Sequence, residues 1–399
     1  MNSSPLDEEQ TDAQAVSKVV AVRPELHALA RASLRLGLKR HELLHAGPPL
    51  TEAELPCLPV LIAAVAAILY EGWARTPEQA RALLQDRTVR FRAAQDQLCV
   101  LPLADVLSPS MWQVVRDAGC DSRWACSPLH GGAADAMRVG VFSPNILARL
   151  RWLDEQFAPH YSTTLTDPIS LIDLADQGLA LGDDCHGKTA AASRAFARLI
   201  DGRMGQASAA NCREFLDQSP GFFLNLGMAA SKCMLLAAEG CPGSRVVTAA
   251  AGNGRTFGVQ IASRPGRWWT VSATPPQMVD AQAEQAETSL GAIGDSAIVD
   301  LLGFGAMTTL DADDMARPAP EFAGHWPELA GMPRAMLSAV HPAFVRSGAR
   351  IVVRAGMIRN ATTSSVVSLG VLDKHGLRGR LGGGYYAVPP NLFTQIGAA

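Results

Sequence analysis

Gly182-Asp183-Asp184-Cys185-His186-Gly187-Lys188 sets two carboxylates, a thiol, an imidazole and an ammonium side by side. An apolar, helix-like run, Ile169 to Leu181, leads into it, and an Ala-rich run, Thr189 to Ile200, leads out. A polar knot between two apolar helices is hard to explain by packing alone. A buried charge without a partner costs several kcal/mol or shifts its pKa until it neutralises. Two readings stand beside each other. In one, the knot is a helix junction, with Asp183 or Asp184 accepting backbone N–H bonds at the next helix start. In the other, it is the chemical centre of the chain.

Working outward, residues 146–240 read as mostly helical. The last of these helices, Phe222 to Glu239, is apolar nearly all round and is expected to be buried. Lys232 lies within it, either snorkelling to the surface or serving a site. On either side the pattern is mixed, so the expected fold class is α+β: two mixed α/β subdomains with a mostly helical middle segment. The units are 1–23, a disordered polar tail; 24–145, an N-terminal α+β region; 146–240, the helical region; and 241–399, a C-terminal α+β region with glycine-rich loops. In the N-terminal region, helical spacing is read over 24–44, at Leu58 to Trp73, and from the cap Thr76 with Pro77 to about Leu84. Short strands are read at Val89 to Phe91 and Leu98 to Leu103. Ser108-Pro109-Ser110-Met111 is read as a turn opening into a helix. Arg138 to Phe142 has a strand-like character, with a helix from Pro144 to Phe157. After Gly240, strands are expected at Val246 to Thr248, Thr256 to Ala262, Trp268 to Ala273, Ile351 to Arg354 and Ser364 to Leu369. Helices are expected at Ala297 to Leu302 and Trp326 to Ala339.

The 399 residues suit two or three domains. With 48% hydrophobic and 18% charged residues there is ample material for a core. A net charge of −3 advertises no nucleic-acid surface. The eight Cys include no C-x-x-C pair, which argues against a structural zinc site and a secreted disulfide scaffold. The polar start lacks a signal peptide's apolar core, and Val60 to Leu69 is too short for a membrane span, which needs about 20 residues. The expected location is the cytoplasm.

Other stretches carry possible chemistry. Asn253-Gly254 between two strand-like runs signals a hairpin turn. Asp295 or Ser296, after Gly294, is placed to cap the following helix, whose free N–H groups suit an anion. Gly382-Gly383-Gly384 would bring backbone close to a phosphate or carboxylate, yet lacks the endings of the known phosphate loops. No G-x-S-x-G elbow is present. One His beside two acids is weak evidence for a metal, and no metal or cofactor is expected.

Taken in order, several blocks resemble one family. They are Leu44-His45-Ala46-Gly47-Pro48-Pro49, Tyr70-Glu71-Gly72-Trp73-Ala74, Ser108 to Met111, Arg149-Leu150-Arg151-Trp152, Gly182 to His186, Phe223 to Lys232, Asn253 to Gly258, Gly294 to Ile298 and the C-terminal glycines. From about residue 40 to the C-terminus the chain is similar to the AllG family, a subunit of oxamate carbamoyltransferase. The resemblance implies α+β subdomains with a helical segment. It also implies carbamoyl transfer between oxalurate and phosphate, giving oxamate and carbamoyl phosphate, beside an FdrA-like partner. The departures fall at polar positions. A polar tail and helix replace a strand-rich start. Ala93 to Gln97 stands where a His-rich stretch is expected, and Leu129-His130-Gly131-Gly132 where Asn-Glu-Gly is expected. Gly252 replaces an Arg; Asp184, Lys188 and Thr189 replace Glu, Arg and Asn; Arg380 replaces Gln. The apolar frame is kept, which implies a divergent member with an altered substrate, from a specialised biosynthetic pathway.

The leading expectation is therefore a transferase acting on a small ureido, amide or carboxylate substrate, with hydrolase or lyase chemistry as the variant. His186 is the acid/base, oriented by Asp184. Lys232 belongs to the catalytic set, and Cys185 is the alternative nucleophile. Lys188, Lys232 and Arg380 neutralise the substrate, while Asp183, Asn253, Gly254, Asp295 and Ser296 bind it. The competing expectation is a non-catalytic scaffold or regulatory subunit that binds a partner or a small anion. A homodimer is expected, since two-fold oligomers are the commonest and apolar segments such as Val60 to Leu69 exceed what one site needs.

Overall fold

The computed structural model describes residues 5–117, 123–131, 136–203, 210–278, 283–311, 337–353 and 365–397. The chain begins with helix α1 (Pro5–Ala21), strand β1 (Glu25–Arg31), a short α2 (Ala32–Arg35) and β2 (Glu42–His45). Helices α3 (Leu58–Tyr70) and α4 (Pro77–Gln85) cross over to β3 (Arg90–Ala93), parallel to β2, and β4 (Val106–Leu107) closes this sheet in the order β3-β2-β4. Strands β5 (Trp112–Asp117) and β6 (Trp124–Pro128) follow. With β1 and the later β7 (Ile169–Ser170) they form an antiparallel sheet, β6-β5-β1-β7.

The helical middle comprises α5 (Pro144–Trp152), α6 (Ala158–Thr163), α7 (Leu171–Ala180), α8 (Ala190–Arg203), α9 (Ala210–Asp217) and α10 (Phe222–Leu235). Beyond it, β8 (Val247–Asn253), β9 (Thr256–Ile261) and β10 (Trp269–Ser272) join β12 (Ile293–Gly294) as β10-β9-β8-β12. Strand β11 (Gln277–Met278) and helix α11 (Ala283–Thr288) precede β12; α12 (Ala297–Leu302) and α13 (Ala306–Asp311) follow it. Strands β13 (Leu337–Val340) and β14 (Arg350–Val353) pair, β15 (Val366–Leu372) and β16 (Arg380–Ala387) join β11, and α14 (Pro390–Gly397) ends the chain. This is an α+β fold of small sheets around a helical core.

Helix α10 is the hub. It packs against β5, β6, β8, α7, α8 and α12, so its near-continuous apolar surface has a neighbour on every side. One core surrounds it, with Phe157, Tyr161, Phe196, Phe215 and Phe222 in mutual ring contact. A second core forms around α3, and a third between β8, β9, β15 and α14.

Several expectations change. Residues 5–21, read as tail, form α1, because Ala15, Val16 and Val19 give it a buried face. The helical spacing over 24–44 serves no buried face: Leu26 is buried but Leu34 is 82% exposed, and β1 is held between β5 and β7. Ser108 to Met111 leads into β5 rather than a helix. Glu71 fixes that turn, accepting from Ser108 Oγ at 2.5 Å, Ser110 N at 2.7 Å and Ser110 Oγ at 2.8 Å. Leu98 to Leu103 is no strand: Leu98 and Leu103 have positive φ, and Cys99 makes one bridge to Cys126. The strand-like Arg138 to Phe142 begins as a 3-10 turn, Met137–Val139. The three glycines at 382–384 lie within β16; β11 passes so close that a Cβ on Gly384 would stand 2.8 Å from Gln277 O. Of the helix expected over 326–339, only the end is described, and there it is β13. Val60 to Leu69 lies in α3, most of whose residues fill the second core, with Leu61, Ile62 and Leu69 partly exposed. Thr76 caps α4 as expected, accepting from Gln79 N at 3.3 Å. Among the described residues no single helix is long and apolar enough to cross a membrane.

Candidate functional site

The knot at 182–188 is a tight loop between α7 and α8, and its own carboxylates hold it. Asp184 Oδ1 accepts from His186 N at 2.7 Å and Lys188 N at 2.8 Å, while Asp184 N donates to Lys188 O at 3.0 Å. Asp183 Oδ2 accepts from Ala192 N at 2.8 Å, in the first turn of α8. The helix-junction reading therefore describes both acids. Burial raises the Asp183 pKa and pushes Asp184 up to about 6, against the pull of these backbone bonds.

The loop delivers His186 to α12. Its Nδ1 makes a very short bond to Asp300 Oδ2, and the other oxygen, Asp300 Oδ1, accepts from Ala306 N at 2.8 Å and Ser368 N at 3.0 Å. Asp300 is fully buried and His186 is 7% exposed. The partner expected from sequence was Asp184; it shapes the loop, while Asp300 meets the ring. Gly305 makes room for this pair. A Cβ there would stand 2.2 Å from Asp300 Oδ1 and 3.0 Å from His186 Cβ, and its φ is +60°. Gly305→Ala is therefore expected to lower stability by about 1–3 kcal/mol, through left-handed backbone and the clash, and to lower turnover with it. Normal activity in that variant would remove the pair from the chemistry.

Burial draws the His186 pKa down, but the Asp300 carboxylate outweighs it and the net shift is upward. The exposed Arg380 on β16 sends its charge into the same place and opposes the imidazolium. Among the described residues no hydrogen bond engages Nε2, so the dyad has one ring nitrogen fixed and the other without a bond.

The remaining expected site residues do not gather there. The Cys185 thiol faces apolar surroundings, including a cavity of about 20 Å³ shared with Leu171, Ala175, Phe223 and Phe304. Burial, then the nearby acids, raises its pKa well above the usual thiol value, which disfavours the thiolate that a nucleophile needs. Iodoacetamide applied to folded protein at neutral pH is expected to leave Cys185 unlabelled, as read by peptide mass spectrometry; rapid labelling would restore it as a candidate. Lys232 is 1% exposed and does not snorkel. Its Nζ donates to Thr248 O at 3.1 Å and pairs with Glu239 at 3.2 Å, which uses its charge internally. Asn253 and Gly254 form the expected hairpin turn. Asn253 Oδ1 accepts from Arg255 N at 3.0 Å and Thr256 N at 2.8 Å, and Nδ2 donates to Pro48 O at 3.1 Å. Ser296 precedes α12 without a capping bond.

Asp295 does not cap α12 either. It staples distant loops, accepting from Gly47 N at 2.9 Å, Leu101 N at 2.8 Å and Gln95 Nε2 at 3.2 Å. Burial pushes its carboxyl up to about 7. Sequence reasoning missed Asp300, although one carboxylate inside the apolar run Ala297-Ile298-Val299-Asp300-Leu301-Leu302 was the available signal. Among the described residues, no three His, Cys, Asp or Glu side chains gather as a metal site.

The profile of the family described as "Oxamate carbamoyltransferase subunit AllG" matches residues 89–296. The Escherichia coli K12 protein of that name is 30% identical over 318 residues, 77% of this chain and 76% of the relative. A second K12 protein, "Uncharacterized protein YahG", is 28% identical over 316 residues, 75% of this chain and 65% of its own length. The fold matches a crystal structure of a conserved protein of unknown function from Enterococcus faecalis V583. The TM-score is 0.89 at 22% identity, covering 98% of this chain and 97% of the other.

Proposed function

The chain belongs to the AllG family, and from that premise we propose that it is an enzyme subunit transferring a carbamoyl or acyl group to or from a small anionic ureido or amide substrate. The observation that carries the reading is the dyad: His186 Nδ1 fixed by Asp300, Nε2 without a hydrogen bond among the described residues, and a cationic Arg380 nearby. A carboxylate behind an imidazole sets its tautomer and stabilises the imidazolium.

In the family's direction, a phosphate oxygen attacks the carbamoyl carbon of a ureido acid, and the carbon–nitrogen bond to the leaving amide breaks. The leaving nitrogen needs a proton, and His186 Nε2–H supplies it. The Asp300 carboxylate raises the His186 pKa, which favours the protonated ring that donates. Arg380 offsets the negative charge of the substrate and of the attacking phosphate. In the reverse direction the neutral imidazole takes the proton back.

The scaffold reading draws support from Asp183, Asp184 and Asp295, which are all engaged by backbone N–H groups. Assaying the purified chain against a panel of ureido acids plus phosphate separates the two, first alone and then with an FdrA-like partner. Release of a carbamoyl product that depends on His186 supports the enzyme; release that requires the partner and persists without His186 supports the scaffold. The relative's description as a subunit supports a partner protein. Light scattering of the chain alone reads whether it also pairs with itself.

A further inference from the structure

Near the dyad lies a group of buried polar side chains that the steps above do not use. Asp105 is fully buried and His130 is 5% exposed. His130 Nδ1 stands 3.2 Å from Asp105 Oδ2, but the two are not aligned as donor and acceptor. Asp105 Oδ2 and both ring nitrogens therefore lack a hydrogen bond. Asn225, 1% exposed, comes from α10; its main-chain oxygen accepts from Ser127 Oγ at 2.5 Å while its Nδ2 has no partner. A Cβ on Gly131 would stand 2.5 Å from Asn225 Oδ1, which places this amide against the backbone next to His130. Arg138 is tied to the Asp105 loop through its main chain. Ala104 N donates to its carbonyl at 3.0 Å, beside Asp105, and its Nε is buried without a partner. Burial lowers the Arg138 pKa, the Arg380 charge lowers it further, and Asp105 opposes them. Arg380 acts on His186 as well, so this group and the dyad share a neighbour.

Each buried polar atom left unpaired costs about 1–3 kcal/mol, and a cluster of them in one place asks for an occupant. The chemistry of the set selects it. Asp105 Oδ2 accepts only; Asn225 Nδ2 and Arg138 donate only. A bare anion would face the Asp105 carboxylate, and a cation would face Arg138 and Arg380. A small molecule carrying an N–H beside carbonyl and carboxylate oxygens satisfies both sides. We propose that Asp105, His130, Asn225 and Arg138 form the recognition pocket for the amide end of a small amide-bearing carboxylate. Asp105 accepts the amide N–H, while Asn225 and Arg138 donate to the oxygens. The proposal rests on the enzyme reading for what happens after binding, but its test reads binding alone.

Oxamate and oxalate have nearly the same size and differ in an amide group against a carboxylate. Calorimetric titration of the full chain is expected to show oxamate binding about tenfold or more tightly, since a site built for an N–H rejects the analogue without it. Asp105→Leu removes both acceptor oxygens at similar size and is expected to erase that preference. Asn225→Asp turns a donor into a negative acceptor and is expected to weaken both ligands by about tenfold or more. His186→Ala is expected to keep the preference. Oxalate bound as tightly as oxamate, or neither bound at millimolar concentration, overturns the pocket. So does an unchanged preference in Asp105→Leu, or, if that variant does not fold, unchanged affinity in Asn225→Asp. Lost turnover with the preference intact would leave the pocket standing; an intact preference with turnover unchanged in His186→Ala would remove only the dyad.

Discussion

Turnover of the His186→Ala variant is expected to fall by about 10²–10⁴, the usual contribution of a positioned general acid or base. The variant should still fold, because the loop around residue 186 is held by Asp183 and Asp184 through backbone bonds that the side chain does not make. Asp300→Asn should cost activity too, by releasing the ring tautomer, but it also disturbs the bonds from Ala306 N and Ser368 N. His186→Ala is thus the cleaner test, read as kcat with circular dichroism beside it. The pH profile adds a sign. The acid form of His186 donates in the phosphate-attack direction, and its pKa is raised above the ordinary 6.5. Activity in that direction should therefore fall as pH rises through a value above 6.5. A limb on the acid side instead would assign the imidazole the role of base. Unchanged kcat would move the chemistry elsewhere.

What the sequence could reveal here followed from local chemistry. The hairpin at Asn253-Gly254, the cap at Thr76 and the buried character of Phe222 to Glu239 each depend on neighbours in the chain, and each is present. What it hid followed from partners far away in the chain. Asp184 is two residues from His186 and was read as its partner, yet the ring meets Asp300, 114 positions further on. A carboxylate two residues away is better placed to accept the His186 backbone N–H than to reach its ring, and that is the bond it makes. The strand β1 failed for the same reason. Its leucines fit a helix as well as a strand, and only β5 and β7 decide between them. Asn225, Asp105 and His130 sit in unrelated segments, and only α10 packing on β6 brings Asn225 against the His130 segment.

The second large effect concerns stability. Asp295→Ala removes the acceptor shared by Gly47 N, Leu101 N and Gln95 Nε2, which join three segments otherwise far apart in sequence. Gln95 Nε2 keeps its bond to Ala250 O at 2.9 Å, but Gly47 N and Leu101 N are left unpaired at about 1–3 kcal/mol each, so a loss of roughly 2 kcal/mol or more is expected, a large share of the about 5–15 kcal/mol a protein has. Asp295→Asn keeps one carbonyl acceptor and should lose less. The pH dependence separates hydrogen bonding from charge. Burial pushes the Asp295 carboxyl up to about 7, above the ordinary 3.8, and the three donors and Lys232 only partly offset it. The folded state therefore binds this proton more tightly than the unfolded chain does. The stability tied to it is fully present below pH about 4 and is lost as pH rises through about 7. The difference in unfolding free energy between wild type and Asp295→Asn should then shrink from pH 5 to pH 8. Taking a difference matters because burial holds His45 and His341 at about 4, below the ordinary 6.5. Their contribution runs the other way, lost as pH falls through about 4, and it cancels between the two proteins. Urea unfolding at pH 5, 6.5 and 8 measures both. A difference that widens with pH would mean that the three donors, not burial, set the charge state of Asp295, and that the staple is an ionised carboxylate throughout.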